Sequence, residues 1–524
     1  MNAFISEFLH TLRMGKCLPV IFFSAALLGG CALPTPDKVA STALSTEQGQ
    51  ATQLGQALAP RLAKHPGKSG IYALADPHDA FAARVLLARA AERTLDVQYY
   101  IWHGDITGTL LLEELHEAAD RGVRVRLLLD DNGTAGLDTE LAALALHPQI
   151  EVRLFNPFKV RNPKWLGYIT DFSRANRRMH NKAFTADSQA SIVGGRNVGD
   201  EYFGATEGIL FADLDVLSVG PIVEHVSTDF DRYWASGSSY PVEQIVPAVS
   251  DESLAQLSQT AAILERDDAA KDYVEAVSQS DFIRVLLAGE LPLEWAETRM
   301  VSDDPAKGLG ETPREGRLTY QLGQILGEPK DRVVLVSPYF VPTAAGVEAF
   351  TALADQGIDI RILTNSLNAT DVAAVHAGYA KRRKDLLRAG IQLFEMRQLS
   401  PRIERNGSAG PFGSSGSSLH AKTFAVDGER MFVGSFNFDP RSANLNTELG
   451  FVIDSPTLSQ TVHHAFKSAI PANAYEVRLD DNDRLYWVER VRDREIRYDQ
   501  EPNTGFIQRS GVFLLSMLPI EWLL

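Results

Sequence analysis

Two stretches of this chain, about 240 residues apart, repeat one another element by element, and any fold has to accommodate both. In the first, Thr94-Leu-Asp-Val-Gln-Tyr-Tyr-Ile101 reads as a strand. A helix carrying Leu110, Leu111, Leu112 and Leu115 follows and stops at Gly122, where a left-handed cap suits glycine. Val123, Val125, Leu127 and Leu129 then alternate as strand residues do. In the second, Arg332 to Val341 is the strand, Ala345 to Ala354 the helix, Gly357 the cap, and Ile358, Ile360 and Ile362 the next strand. Ile150 to Phe155 has its partner in Ile391 to Phe394. Strand–helix–strand alternation implies α/β layers, and the period is far too long for a solenoid. The expected fold is α/β. Two pseudo-symmetric domains pack side by side, each with a central mixed, largely parallel sheet flanked by helices. A chain of 524 residues agrees with two domains.

Each copy carries the same polar text. Met179-His-Asn-Lys-Ala-Phe-Thr-Ala-Asp187 leads to Val193-Gly-Gly-Arg-Asn197, and Leu419-His-Ala-Lys-Thr-Phe-Ala-Val-Asp427 leads to Val433-Gly-Ser-Phe-Asn437. Both obey His-x-Lys-(x)4-Asp-(x)6-Gly-[Gly/Ser]-x-Asn. An isolated His-x-Lys is ordinarily a satisfied surface pair; chance is a poor explanation for two copies at identical spacing. His180 and Lys182, like His420 and Lys422, are two apart, so an extended backbone puts each pair on one face. Asp187 and Asp427 have the opposite parity and stand at a turn, where side-chain to backbone hydrogen bonds give them a structural role beside the catalytic one. Asn197 and Asn437 follow a glycine-containing bend that lets an anion approach. One copy is half a site. Displacement at a phosphodiester needs a nucleophile on one side and an acid on the leaving group opposite, and two histidines at a domain interface supply both. Lysines and asparagines then neutralise the phosphoryl oxygens. No Asp/Glu/His cluster has metal-ligand spacing, so neither metal nor other cofactor is expected.

The rest of the chain sets the surroundings. A formal charge of −16 makes nucleic acid a poor partner. Two cysteines, Cys17 and Cys31, are too few for a disulfide framework. Arg13 and Lys16 precede the apolar run Leu18 to Leu28, which ends in Gly29-Gly30-Cys31. Residues 1–31 read as a signal peptide, more compact if translation starts at Met14. Its ending resembles a bacterial lipobox, which implies lipidation of Cys31; an uncleaved interfacial anchor is the alternative. Residues 32–69 read as a tether, 70–245 as the first domain, 246–290 as a helical connector, 291–470 as the second domain and 471–524 as a C-terminal extension. Asn406 to Ser418, rich in glycine and serine, reads as a flexible loop before the second motif. Lys159, Arg161, Lys164, Arg174, Arg177 and Arg178 form a basic stretch, open to two readings: attraction of anionic lipid, or an ordinary solvated loop. Val512 to Leu524 is apolar and too short to span a bilayer; it either lies at a membrane surface with Trp522 at the interface or docks on the core.

These motifs resemble the phospholipase D superfamily from about Gly70 onward. The resemblance implies an acidic residue after each motif that orients the histidine, and Asp213 and Glu448 occupy those places. Ser435 stands where the first copy has Gly195, so the halves are unequal; Asn197, Asn437, Asp213, Glu448 and Ser435 are assigned to the substrate-binding set. Thr94 to Trp102, Gly167 to Arg174, Asn176 to Lys182, Ser337 to Pro342 and Asn437 to Ser442 are similar to bacterial cardiolipin synthases, the C type above all. That similarity implies a phosphatidyltransferase using phosphatidylethanolamine as donor and phosphatidylglycerol as acceptor, with His180 as nucleophile and His420 as acid and base. The implied setting is the bacterial cell envelope, as a periplasm-facing, membrane-anchored lipoprotein, with the outer membrane preferred. A phospholipid hydrolase and a non-catalytic envelope binding module are the alternatives.

Overall fold

Thr94–Ile101 is buried along nearly its whole length, on both faces, the pattern of a central strand covered from two sides. It pairs in parallel with Arg124–Gly133, which pairs in parallel with Ile150–Phe155. On its other side lies antiparallel Ala183–Ala186, followed by Ala190–Gly194, Asp215–Val219 and Ser69–Leu74. The second half repeats this order. Arg332–Val336 stands between parallel Asp359–Asn365 and antiparallel Thr423–Val426, and the sheet continues through Arg430–Gly434, Leu449–Asp454 and Glu294–Ser302. Ser69–Leu74 and Glu294–Ser302 pair antiparallel with each other, fusing the halves into one 18-stranded sheet. The sheet is mixed. Its parallel ladders are confined to the strand–helix–strand units, whereas the motif strands return through tight turns that only antiparallel pairing allows. The computed structural model describes residues 33–35, 41–206, 210–287, 289–398, 418–492 and 494–524. The expected signal peptide with Cys31 and the glycine/serine-rich loop at 406–417 lie outside the described residues.

Two expectations are corrected. Residues 41–68 are not a tether but part of the first domain. Thr46–Gln50 and Gln53–Leu62 are helices capped by Ser45 and Thr52, and Leu54 and Leu58 pack on the first core. That apolar pair, one helical turn apart, is hidden in a polar composition. The second domain likewise runs past its expected boundary at 470: Ala474–Leu479 adds antiparallel to Gln392–Met396 and carries two further strands.

The connector forms three helices, Glu252–Leu264, Asp268–Ser278 and Asp281–Leu287. Leu257, Tyr273 and Phe282 from them complete the core that holds Phe81 and Leu110. The corresponding side of the second half, between Leu318–Leu326 and Thr343–Asp355, is an open apolar groove of about 510 Å3. Farther on, Phe506–Ser516 is a helix whose Val512 packs with Leu367 and Ala377. Among the described residues no helix is long and apolar enough to cross a membrane.

Candidate active site

Each His-x-Lys lies in the extended run leading into its motif strand, not in the strand itself. Equivalent residues at the ends of equivalent strands hold these runs. Asp130 accepts from the Met179 N–H at 2.7 Å, and Asn365 clasps Leu419 with two 2.9 Å hydrogen bonds. The backbone then zips each motif to the opposite half. His180 N–H donates to Thr447 O (2.8 Å) and Thr447 N–H to Arg178 O (2.9 Å), while His420 N–H donates to Ala212 O (2.8 Å).

The residue after each zipper partner is an acid. Glu448 Oε2 therefore lies 2.8 Å from His180 Nδ1, and Asp213 Oδ2 lies 2.5 Å from His420 Nδ1. Each carboxylate orients the histidine of the other half, not that of its own motif. Both histidines are only 6% exposed. With Nδ1 turned to a carboxylate, Nε2 is the nitrogen left for chemistry. Lys182 Nζ donates to His180 O at 2.6 Å and Lys422 Nζ to His420 O at 2.5 Å, which fixes an ammonium beside each ring.

The halves differ electrostatically. In the second motif Ser435 Oγ donates to Glu448 Oε2 at 2.5 Å. In the first, Asp213 fills the equivalent space: a Cβ on Gly195 would stand 2.1 Å from its Oδ1, which instead accepts from the Leu214 N–H (2.8 Å). Burial pushes the Glu448 carboxyl up to about 7 against the pull of Lys182 and Ser435. Asp213 is as deeply buried, yet His420, Lys422 and Arg196 hold it below the usual carboxylate range. Burial, Lys182 and Lys422 press His180 well below an ordinary imidazole. Burial and Lys422 also lower His420, but Asp213 opposes them. Burial drives Lys422 down to about 8 and Lys182 well below its usual range.

Other expected site residues stand elsewhere. Asp187 accepts from the N–H groups of Glu92, Arg93 and Thr94 at 2.8–2.9 Å; Asp427 does the same for Lys330, Asp331 and Arg332. They tie the motif hairpin to the start of the neighbouring strand, from positive-φ turn positions that Asp tolerates. Their catalytic assignment is corrected to a structural one. Asn197 is spent internally, accepting from Ile101 N–H (3.2 Å) and donating to Tyr202 Oη (3.0 Å), so it leaves the substrate-binding set. Asp213, Glu448 and Ser435 act on the histidines. Asn437, whose buried Oδ1 has no hydrogen-bond partner among the described residues, stays in that set. The basic stretch is largely paired internally: Arg161 and Lys164 with Asp131, Arg174 with Asp171, Arg178 with Asp130.

Sequence reasoning missed the supports. Asp303 accepts from the Glu448 N–H (3.0 Å) and from Lys307 (2.8 Å), and Arg196 donates to Asp213 O (2.8 Å). Tyr100 sits 5.0 Å from the His180 ring, and Tyr202 and Phe211 sit 5.3 and 5.1 Å from His420. Asp130 and Asn365 had a usable signal, since polar residues ending parallel strands mark the ligand side of an α/β sheet. Folding also gathers His103, Asp105 and Glu201 within metal-ligand reach. Asp105 there caps a helix through the Gly108 N–H, and Glu201 pairs with His103.

Two half-sites interlocked across one interface, each histidine oriented by a carboxylate from the other half and flanked by lysine, define a two-lobed phospholipase D-type protein. The sequence matches the family described as "Cardiolipin synthase, PLD-like domain" twice, over residues 86–234 and 322–470. Cardiolipin synthase C of Escherichia coli (strain K12) is 51% identical over 472 residues, covering 90% of this chain and 100% of the relative. An uncharacterised protein of Helicobacter pylori (strain ATCC 700392 / 26695) is 32% identical, covering 94% of this chain and 96% of its own length. The crystal structure of phosphatidylserine synthase from Haemophilus influenzae Rd KW20 shares the fold, with a TM-score of 0.55 over 96% of this chain and 99% of that one, at 14% identity. This chain belongs to the PLD-like cardiolipin synthase family.

Proposed function

We propose that this protein is a cardiolipin synthase that transfers the phosphatidyl group of phosphatidylethanolamine to phosphatidylglycerol. The observation that carries the mechanism is the crossed, unequal pairing of His180 with Glu448 and His420 with Asp213. His180, held neutral by burial and two lysines, attacks the donor phosphorus through Nε2. The P–O bond to ethanolamine breaks, and His420, whose positive charge Asp213 stabilises, gives the leaving oxygen its proton. His420 then takes the proton of a phosphatidylglycerol hydroxyl, whose oxygen attacks the phosphohistidine. The P–N bond breaks, cardiolipin leaves and His180 returns to neutral. Lys182, Lys422 and Asn437 meet the charge on the phosphoryl oxygens. Acid–base help of this kind contributes roughly 10²–10⁴-fold.

Transfer is favoured over hydrolysis by the 6% exposure of both histidines, since only exclusion of water keeps a phosphohistidine for a lipid hydroxyl. The same reading has the enzyme facing the periplasm in the bacterial cell envelope, anchored through lipidated Cys31, preferably to the outer membrane; the sequence of residues 13–31 supports it. Metabolic labelling with a fatty acid, lost in Cys31→Ser, tests the anchor. The activity is tested with vesicles of phosphatidylethanolamine and phosphatidylglycerol, following cardiolipin, phosphatidic acid and ethanolamine for the wild type, His180→Ala and His420→Ala. Equal amounts of cardiolipin and ethanolamine from the wild type alone are expected. Phosphatidic acid without cardiolipin would make the enzyme a hydrolase.

A further inference from the structure

Exposed apolar side chains gather on two segments that belong to different halves of the chain. Trp165, Ile169 and Phe172, at 59%, 71% and 43% exposure, stand on the short helices around Leu166–Thr170. Ile507, Phe513, Leu514 and Trp522, at 86%, 65%, 63% and 58%, stand on and just beyond the helix Phe506–Ser516. That helix turns Val512 inward against Leu367 and Ala377, so helical spacing leaves its other apolar residues facing out. Between Gly505 and Leu524 the only charged side chains are Arg509 and Glu521. Both are engaged, Arg509 with Thr504 O and Glu521 with Arg382.

The two segments border the same site. Tyr168, on the first, donates to Asn132, which donates to Tyr100, whose ring lies 5.0 Å from His180. On the second, Leu523 O and Leu524 O accept from Arg441, four residues after the motif residue Asn437. Arg441 also donates to Asn176, at the end of the first segment, at 2.6 Å, so it joins the two. The helix Ala373–Ala380, on which Phe506–Ser516 rests, begins two residues after Asp371, which accepts from Tyr339.

We propose that these segments form one docking face that inserts into the headgroup layer of a lipid bilayer and holds the mouth of the active site against it. This rests on the reading of the substrates as bilayer lipids, which have to enter through that mouth. A protein seated on the same face would close the entrance. Tryptophan on both segments suits the interfacial layer, where an indole meets both water and acyl chain. An 11-residue helix with outward apolar residues is suited to lie in the plane of that layer.

The test uses the full chain with Cys17 and Cys31 replaced by serine and one new cysteine, at Leu514, at Ile169 or, as control, at Ile263 on the connector, which is 67% exposed. Each carries an environment-sensitive fluorophore and meets vesicles of phosphatidylethanolamine and phosphatidylglycerol. Blue shifts at 514 and 169, quenched by lipid-borne nitroxide, with no change at 263, are expected. Turnover on vesicles with water-like emission at 514 and 169 would overturn the face. A vesicle-independent shift at 514 that grows with protein concentration would assign the face to a second copy and overturn it as well. Insertion is read without turnover, so a protein that inserts but makes no cardiolipin leaves the face standing and overturns the proposed activity. The double substitution Ile169→Ser with Leu514→Ser is expected to lower turnover on vesicles by about 10-fold. Turnover of a monomeric short-chain phosphodiester should be unchanged; equal loss on both substrates would also overturn the face.

Discussion

Replacing the two histidine-orienting acids by their amides should move stability in opposite directions, although the acids occupy equivalent places. Glu448 is held up to about 7 by burial, against an ordinary 4.5. The folded protein therefore keeps a proton there that the unfolded chain has lost, and stability falls as the pH rises from about 4.5 to about 7. At pH 8 the full penalty applies, about 3 kcal/mol at 1.36 kcal/mol per pH unit. Glu448→Gln keeps an acceptor for His180 and Ser435 and removes the charge. Unfolding entropy of about 2.1 cal/mol/K per residue, over a unit of roughly 480 residues, turns about 3 kcal/mol into about 3 °C of Tm. Calorimetry is expected to show Glu448→Gln melting about 3 °C above the wild type at pH 8 and level with it near pH 4.5. Activity should fall by roughly 10³–10⁴ as the imidazole loses the negative charge that stabilises its phosphorylated form. Asp213 is depressed, so its contribution is present above pH 3.8 and lost as the pH falls through its folded value. Asp213→Asn should therefore melt below the wild type at both pH 8 and pH 5. Destabilisation of Glu448→Gln by the same amount at pH 8 and pH 4.5 would refute the buried, weakly ionised carboxyl.

Gly195→Ala drives a methyl group into the Asp213 carboxylate; it should lower kcat about 100-fold or more by misplacing His420, whereas Ser435→Gly, with open space for the loss, should cost less. Asp187→Ala removes the acceptor of three backbone N–H groups and should cost about 2–3 kcal/mol in denaturant melts while the folded fraction keeps near-normal kcat. Lys422, lowered to about 8 by burial, should give the activity an alkaline limb near pH 8 as its ammonium discharges. In Lys422→Arg, slower throughout, the limb should disappear, because guanidinium stays charged.

The duplicated strand–helix–strand order and the paired motifs were legible because they depend on local spacing. β-Rich text marked Thr94–Ile101 and Arg332–Val341 as strands, and the structure has strands at Thr94–Ile101 and Arg332–Val336. The crossing of the acids was not legible. Glu448 reaches His180 only because Thr447 pairs with the backbone on either side of Met179, a contact between residues 267 and more positions apart in the chain. Nothing in the text of either motif encodes that partner. The roles of Asn197 and Asp187 were obscured for a similar reason: each accepts from the backbone in or just before a strand some 95 residues away, Asn197 from one N–H group and Asp187 from three. Residues 41–68 hide their helices behind a polar composition, while two leucines one turn apart are enough to dock a short helix.

The central claim, that His180 is the nucleophile and His420 the acid, is tested most directly by trapping the covalent intermediate. The protein is turned over on a phospholipid analogue with a labelled phosphatidyl group and an activated leaving group that needs no acid, then quenched in alkali, where phosphohistidine survives. Peptide mapping should place the label on His180 in both the wild type and His420→Ala, with none in His180→Ala. Label on His420, in the wild type or in His180→Ala, would contradict the assignment of the two halves.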